Sequence, residues 1–152
     1  MSLRQRLDDD LKDAMRKGDV ARRSTLRYLR SAIHNQEIAI QQKTLDDEGI
    51  TAVLGRQAQQ RRESIEAFSK GRRPDLVAKE EAKLALILGY LPAQMGRGEI
   101  AEVARRAIEQ VGARGPQDMG KVMGKVMPQV RGKAEGRDVS AVVSELLRSL
   151  AP

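Results

Sequence analysis

Two lysines stand four residues apart in a short repeat that reads Met-Gly-Lys-Val twice between residues 119 and 126. On a helix, Lys121 and Lys125 would project from the same side, because residues four apart are neighbours on a helical surface. Ammonium groups in that arrangement can contact the phosphates of a nucleic-acid backbone. Three more cations follow in the next segment: Arg131, Lys133 and Arg137. The pattern predicts a phosphate-binding surface made of these five side chains, while an ordinary solvated face fits Lys121 and Lys125 equally well.

The helix that must carry the two lysines is predicted from its apolar residues. They recur at the spacing of a core-facing stripe: Met119, Val122, Met123, Val126, Met127 and Val130. Gly120 and Gly124 flank the stripe, and each costs roughly 1 kcal/mol relative to Ala inside a helix. They predict a close neighbour, either another helix of the protein, which we favour, or a sugar-phosphate chain. Pro128 predicts that the helix kinks or ends near Met127.

A second group of arginines lies in the N-terminal half of the chain. Three of them share one side of a predicted helix with His34, and an arginine doublet follows on the next predicted helix. Either these arginines form a secondary basic face for phosphates or they pair with carboxylates, and we favour pairing. We interpret His34 as a surface residue rather than a catalyst. The secondary group is Arg23, Arg27, Arg30, Arg61 and Arg62, and the expected carboxylate partners are Asp8, Asp9, Asp10, Asp13, Glu63 and Glu66.

Composition narrows the classes of partner. The 152-residue chain has a formal net charge of +7 and a pI near 10, which favours an anionic partner such as nucleic acid. Aromatic residues make up 2% of the chain, so we expect recognition through phosphates and shape rather than through base stacking. There is no Cys, which excludes disulfides, thiolate metal sites and cysteine nucleophiles.

No set of side chains in the sequence indicates a catalytic residue, a metal site or a cofactor. Neighbouring carboxylates such as Glu80 and Glu81 point about 100° apart on a helix, so they do not form a metal site unaided. No apolar run reaches the length of a signal sequence or a membrane span. We therefore predict a cytoplasmic protein with no membrane partner and no intrinsic catalysis.

The apolar residues follow helical spacing almost throughout, and no alternating strand pattern appears. The pattern breaks from Pro92 to Gly98. These features predict an all-α fold with a four-helix N-terminal domain at 1–92 and a small three-helix C-terminal domain at 93–152.

Several segments resemble a known family. Residues 118–124, together with Gly132-Lys133-Ala134 and the apolar residues from Val143 to Leu147, resemble the tail domain of the GatB subunit of tRNA-dependent amidotransferases. Residues 2–7, 60–65 and 90–92 extend the match to the stand-alone YqeY-like proteins. The resemblance implies a helical N-terminal domain followed by a GatB-like tail, and in amidotransferases that tail is associated with tRNA recognition. It carries a binding module rather than an active site.

Three functions follow as hypotheses. The first is a tRNA-binding accessory module that uses a basic helical face. The second is a protein-interaction module that docks on a tRNA synthetase or an amidotransferase component through the N-terminal helices. The third, and the least favoured, is a carbon–nitrogen ligase that uses glutamine as the amido donor.

Overall fold

The computed structural model describes residues 1–41 and 44–150. Within those ranges the chain forms seven α-helices, one short 3₁₀ turn and no β-strand, which confirms the all-α prediction. The helices are α1 (Leu3–Lys17), α2 (Val20–Ala39), α3 (Asp47–Lys70), α4 (Pro74–Leu88), α5 (Arg97–Val111), α6 (Met119–Val130) and α7 (Gly136–Leu150), and the 3₁₀ turn is Pro116–Asp118.

The chain divides into two compact units, Met1–Leu91 and Pro92–Pro152. Helices α1 to α4 belong to the first unit and α5 to α7 to the second. The division falls at Pro92, where the helical spacing of the apolar residues also breaks.

Local sequence sets the ends of the first helices. The Ser2 hydroxyl accepts a hydrogen bond from the Gln5 N–H at 3.1 Å, and the Asp19 carboxylate accepts one from the Arg22 N–H at the same distance. Between α1 and α2, Gly18 adopts the left-handed conformation with φ 66°, which glycine reaches without steric cost. Side-chain caps and a glycine stop therefore turn the chain sharply from α1 into α2.

The N-terminal unit closes around an apolar core to which all four helices contribute fully buried side chains, including Leu7, Leu26, Leu54 and Ile87. Helix α3 packs along α4, and α1 packs along α2. Because α2 meets α4 over only a short stretch, a groove is left between these two helices.

Glu37 of α2 ties α1 to the loop that leads into α3. Its side chain is 7% exposed. It accepts hydrogen bonds from the Leu45 N–H at 2.7 Å and from the Arg4 guanidinium at 2.5 Å. The hydrogen bond from the Leu45 N–H lowers the pKa of Glu37 below its ordinary value, and the bond from Arg4 lowers it further. Burial acts in the opposite direction.

Tyr90 ties the end of the same unit to α1. Its buried ring lies under Arg6, whose guanidinium carbon is 5.1 Å from the ring centre. The Tyr90 hydroxyl donates a hydrogen bond to the Asp10 carboxylate. Burial, followed by this bond, raises the pKa of the Tyr90 hydroxyl above its ordinary value.

In the C-terminal unit, the predicted apolar stripe of α6 faces the core. Val122, Val126 and Val130 are fully buried, and the three methionines of the stripe pack against the same cluster. The sequence predicted that the helix kinks or ends near Met127. An end there is wrong, because α6 continues through Pro128 to Val130. Proline has no N–H, so the Gly124 carbonyl lacks its usual helical donor. Burial of Val130 two residues later favours helical continuation across that defect.

Candidate nucleic-acid interface

The outer surface of α6 carries the two lysines of the repeat. Lys121 and Lys125 are exposed and lie on the side of the helix away from the buried valines, as their spacing predicts. None of the ion pairs found within residues 1–41 and 44–150 involves either lysine. Their neighbours on this surface have little or no side-chain bulk or are uncharged: Gly120, Gly124, Pro128 and Gln129, all exposed. Two cations therefore stand beside an open stretch of backbone.

The glycines of α6 are not crossed by another helix. Apart from the helix itself, a Cβ atom built on Gly120 or Gly124 meets no atom of the described chain within 4 Å. The favoured prediction of a close intramolecular neighbour is therefore wrong for the part of the chain that the structure describes. The physical reason is that α5 and α7 pack on the valine side of α6, whereas the glycines lie on the flank that faces solvent.

The basic segment after α6 is a short connection fixed by backbone hydrogen bonds. Gly132 has φ 78°, a left-handed conformation that turns the chain directly after Arg131. The Lys133 N–H donates to the Val130 carbonyl at 2.8 Å, and the Lys133 carbonyl accepts from the Met95 N–H at 2.7 Å. The Gln94 side-chain amide also donates to the Gly132 carbonyl at 3.1 Å. These bonds fix the backbone while the side chains of Arg131 and Lys133 remain exposed.

The five predicted cations are all exposed, but they lie on two parts of the unit. Lys121 and Lys125 share the outer surface of α6, whereas Arg131, Lys133 and Arg137 lie in and just after the connection to α7. Lys133 also takes part in no ion pair among the described residues, while Arg131 and Arg137 do have partners within the chain. That all five act together on RNA remains a prediction.

Two arginines of the predicted secondary face pair with carboxylates on different helices. Arg30 of α2 pairs with Asp8 of α1 at 3.1 Å. Arg61 of α3 lies 3.3 Å from Glu80 of α4, with 17% of its side chain exposed. Pairing, the favoured interpretation, thus accounts for Arg30, and it accounts for Arg61 through a carboxylate that was not among the expected partners. Of the remaining members, Arg27 is exposed, and Arg23 and Arg62 are half-buried.

A groove between α2 and α4, with α3 beneath it, is a feature that the sequence reasoning missed. Its cavity has a volume of about 730 Å³ and an apolar floor that includes Leu29, Leu86 and Ile87. Tyr28 lines one side and is 54% exposed. The signal in the sequence is Tyr28 itself, a large aromatic residue that the spacing places outside the core stripe of α2.

No group of three or more His, Asp and Glu side chains in the described part of the chain is arranged to hold a metal ion. No helix there combines the length and the apolar character needed to cross a bilayer.

The fold and the surface together define a two-unit, all-helical protein whose second unit exposes a helix bearing lysines and glycines. The chain belongs to the YqeY-like protein family, since the family model described as Yqey-like protein matches residues 4–147. This confirms the resemblance to the YqeY-like proteins that was inferred from the sequence.

Three relatives from yeasts carry the name "Altered inheritance of mitochondria protein 41, mitochondrial". The protein from Lachancea thermotolerans is 42% identical over 85 residues, which is 56% of this chain and 46% of that protein. The protein from Eremothecium gossypii is 39% identical over 101 residues, 66% of this chain and 55% of that protein. The protein from Saccharomyces cerevisiae is 36% identical over 85 residues, again 56% and 46%. The chain spans about half the length of these relatives.

Proposed function

We propose that this protein is a tRNA-binding accessory module, and that its C-terminal unit corresponds to the tail domain of the GatB amidotransferase subunit. The N-terminal unit would then be the four-helix domain of the stand-alone proteins. The observation that carries the proposal is the outer surface of α6. There Lys121 and Lys125 have no ion-pair partner among the described residues, and they lie beside two glycines that face open space.

The chemistry of that surface suits a sugar-phosphate backbone. A phosphate chain is bulky and anionic, so it is favoured by cations that stand next to a stretch of backbone that side chains do not obstruct. Gly120 and Gly124 supply the unobstructed stretch, and Lys121, Lys125 and Lys133 supply the charge. The C-terminal unit contains no aromatic residue, so recognition there rests on RNA shape and phosphates rather than on stacked bases.

The test is a titration of the purified chain with bulk tRNA at several salt concentrations. Each phosphate neutralised by a lysine releases counterions, so the affinity falls steeply as salt rises. Changing Lys121, Lys125 and Lys133 together to Ala should reduce the slope of log affinity against log salt by about 2 to 3. The helical circular dichroism should not change, because all three side chains are exposed.

A matched control separates a specific face from overall charge. Lys12, Lys17 and Lys70 are three exposed lysines of the N-terminal unit. Changing them to Ala lowers the formal net charge from +7 to +4, as the first triple variant does. The control should keep the parent's salt slope. Equal losses in both variants would point to non-specific attraction by net charge.

Three measurements on the same purified chain distinguish this proposal from the other two functional hypotheses. If the parent does not bind tRNA in low salt, docking on a tRNA synthetase or an amidotransferase component becomes the better proposal. A pulldown of such a component that survives nuclease treatment would support it. Glutamine-dependent turnover by the isolated chain would be required for carbon–nitrogen ligase activity.

We also propose that the protein works where tRNA is used, in the cytoplasm as the sequence predicts or in mitochondria as the names of the yeast relatives indicate for those proteins. Fractionation of cells expressing a tagged chain distinguishes the two compartments.

A further inference from the structure

We propose that the groove between α2 and α4 binds a single nucleotide, with the base held by Tyr28, Gln57 and Arg61 and the phosphate held by the cations at the rim. The proposal concerns the N-terminal unit and does not depend on RNA binding by α6. The cavity of about 730 Å³ lies in the size range of small-molecule sites, which combine apolar walls with a few converging polar groups.

Two of the side chains that line this groove each carry a buried polar atom that has no hydrogen-bond partner among the described residues. Gln57 is 9% exposed, and its side-chain oxygen has no hydrogen-bond partner within the described residues. The same is true of the Nε of Arg61. Unpaired buried polar groups are rare because each costs stability. A ligand that draws both side chains towards the groove and hydrogen-bonds to them would remove that cost.

Gln57 and Arg61 stand four apart on α3, so both side chains project to the same side of the helix. Together they present an acceptor and a donor. The edge of a nucleobase presents the complementary pair, an N–H group next to a ring or carbonyl acceptor, and glutamine amides and arginine guanidinium groups are the side chains that commonly read such edges.

Tyr28 gives the base a surface on which to stack. Its ring is 54% exposed although it borders an apolar groove. The Arg61 guanidinium carbon lies 5.8 Å from the ring centre, which holds the ring in place from one side. Although the low aromatic content of the chain argues against base stacking in general, Tyr28 is a local exception.

The charge of the lining favours an anion. Four cations line the groove, Arg22, Arg61, Lys79 and Lys83, against the single carboxylate of Asp19. Some are already engaged, since Arg61 and Lys83 both contact Glu80 at 3.3 Å and Arg22 pairs with Asp13 at 2.8 Å. Lys79 is exposed at the rim, where it can meet a phosphate.

The same groups disfavour a protein helix as the occupant. A helix satisfies its own backbone hydrogen bonds and would lay apolar side chains over the groove. Gln57 and the Nε of Arg61 would then stay buried and unpaired. A nucleotide pairs with both atoms, and it also brings the anionic group that the rim cations attract.

The test is calorimetric titration of the full chain in low salt with AMP, CMP, GMP and UMP. Ribose 5-phosphate, which lacks the base, should bind far more weakly than at least one of the four. Tyr28→Ala should weaken that binding about 5- to 150-fold. Tyr28→Phe keeps the ring and should bind like the parent. Circular dichroism checks that both variants stay helical, as expected for an exposed side chain.

Gln57→Leu separates binding from folding. It replaces a buried, unpaired polar group by an apolar one of similar size, so the variant should be at least as stable as the parent. Its nucleotide affinity should nevertheless fall. A Gln57→Leu variant that binds nucleotides as the parent does would overturn the role assigned to the amide.

Two sources of nucleotide share this chemistry: a free mononucleotide and an unpaired nucleotide at an RNA end. An RNA hairpin with a single-stranded 3′ overhang, compared with the same hairpin made blunt, distinguishes them. If mononucleotides do not bind but the overhang strengthens RNA binding through Tyr28, the RNA end is the ligand. Failure of Tyr28→Ala to weaken binding of either probe would overturn the proposal, as would binding of an acidic helical peptide in the groove when no nucleotide binds.

The variant lacking Lys121, Lys125 and Lys133 completes the experiment. It should bind mononucleotides as the parent does, because its changes lie in the other unit. A loss of tRNA binding without a loss of mononucleotide binding would show that the two sites are separate.

Discussion

Replacing Gly124 by Ala should stabilise the free protein by about 0.5–1 kcal/mol. Gly124 lies in the middle of α6, where Ala is favoured over Gly by up to about 1 kcal/mol. The added methyl group meets open space, with no atom of the described chain outside its own helix within 4 Å. No steric term therefore offsets the helical gain. Gly120 is the second residue of α6 and has the same open surroundings, so Gly120→Ala is a matched control with a smaller expected gain.

The positions of the aromatic residues allow unfolding of the two units to be followed separately. Tyr28, Phe68 and Tyr90 all precede Pro92, so tyrosine fluorescence reports the N-terminal unit, whereas far-ultraviolet circular dichroism reports the helices of both. Gly124→Ala should raise the thermal midpoint seen by circular dichroism by about 4–8 °C per kcal/mol. The tyrosine signal of the same sample should move less.

The affinity of Gly124→Ala for tRNA should change in the opposite direction to its stability. If a sugar-phosphate chain lies against the α6 backbone, the methyl group of Gly124→Ala obstructs it, and affinity for tRNA should fall although the protein is more stable. An unchanged or lower circular-dichroism midpoint would refute the reasoning about open space. A higher midpoint with unchanged tRNA affinity would refute the reasoning about backbone approach.

Two further predictions concern polar contacts of the N-terminal unit. Glu37→Gln should lower stability by about 1–3 kcal/mol at pH 7, because the charged bond from Arg4 is lost while the Leu45 N–H keeps an acceptor. Since folding lowers the pKa of Glu37, this contribution is fully present above its ordinary value of 4.5 and decreases as the pH falls below that value. A difference between parent and variant that stays constant from about pH 6 to about pH 3 would contradict this. Tyr90→Phe removes the bond to Asp10 and should cost about 1 kcal/mol in urea unfolding at pH 7, and an unchanged midpoint would mean that the bond adds nothing. Because folding raises the pKa of Tyr90, its contribution is complete below about pH 10 and decreases as the pH rises above that value.

The spacing of apolar residues correctly predicted which face of α6 is buried. The apolar stripe of α6 was readable because valine and methionine recur at helical spacing, and the structure buries that face. The sequence could not decide between a kink and an end of α6 at Pro128, because the rule for proline is local. Whether a helix continues past Pro128 depends on the burial of Val130, which requires knowledge of the neighbouring helices.

The sequence did not predict which parts of the protein lie next to each other across helices. Spacing places Gly124 on a flank of the stripe but does not say whether α5 or α7 covers that flank. In the same way, the groove beside Tyr28 depends on how far α2 stands from α4, and the pairing of Arg61 with Glu80 joins residues far apart in the sequence. Such distances follow from the packing of several helices at once.

The residues on the outer surface of α6 lower the stability of the helix, and no contact within the described chain offsets that loss. Two glycines each weaken the helix by up to about 1 kcal/mol, and Pro128 deprives the Gly124 carbonyl of its donor. No neighbour within the described chain uses the open space at either glycine. Natural sequences depart from local folding rules mainly where function requires it. Because the departures gather on the exposed side that also carries Lys121 and Lys125, we infer that the constraint on this helix comes from an anionic partner outside the chain.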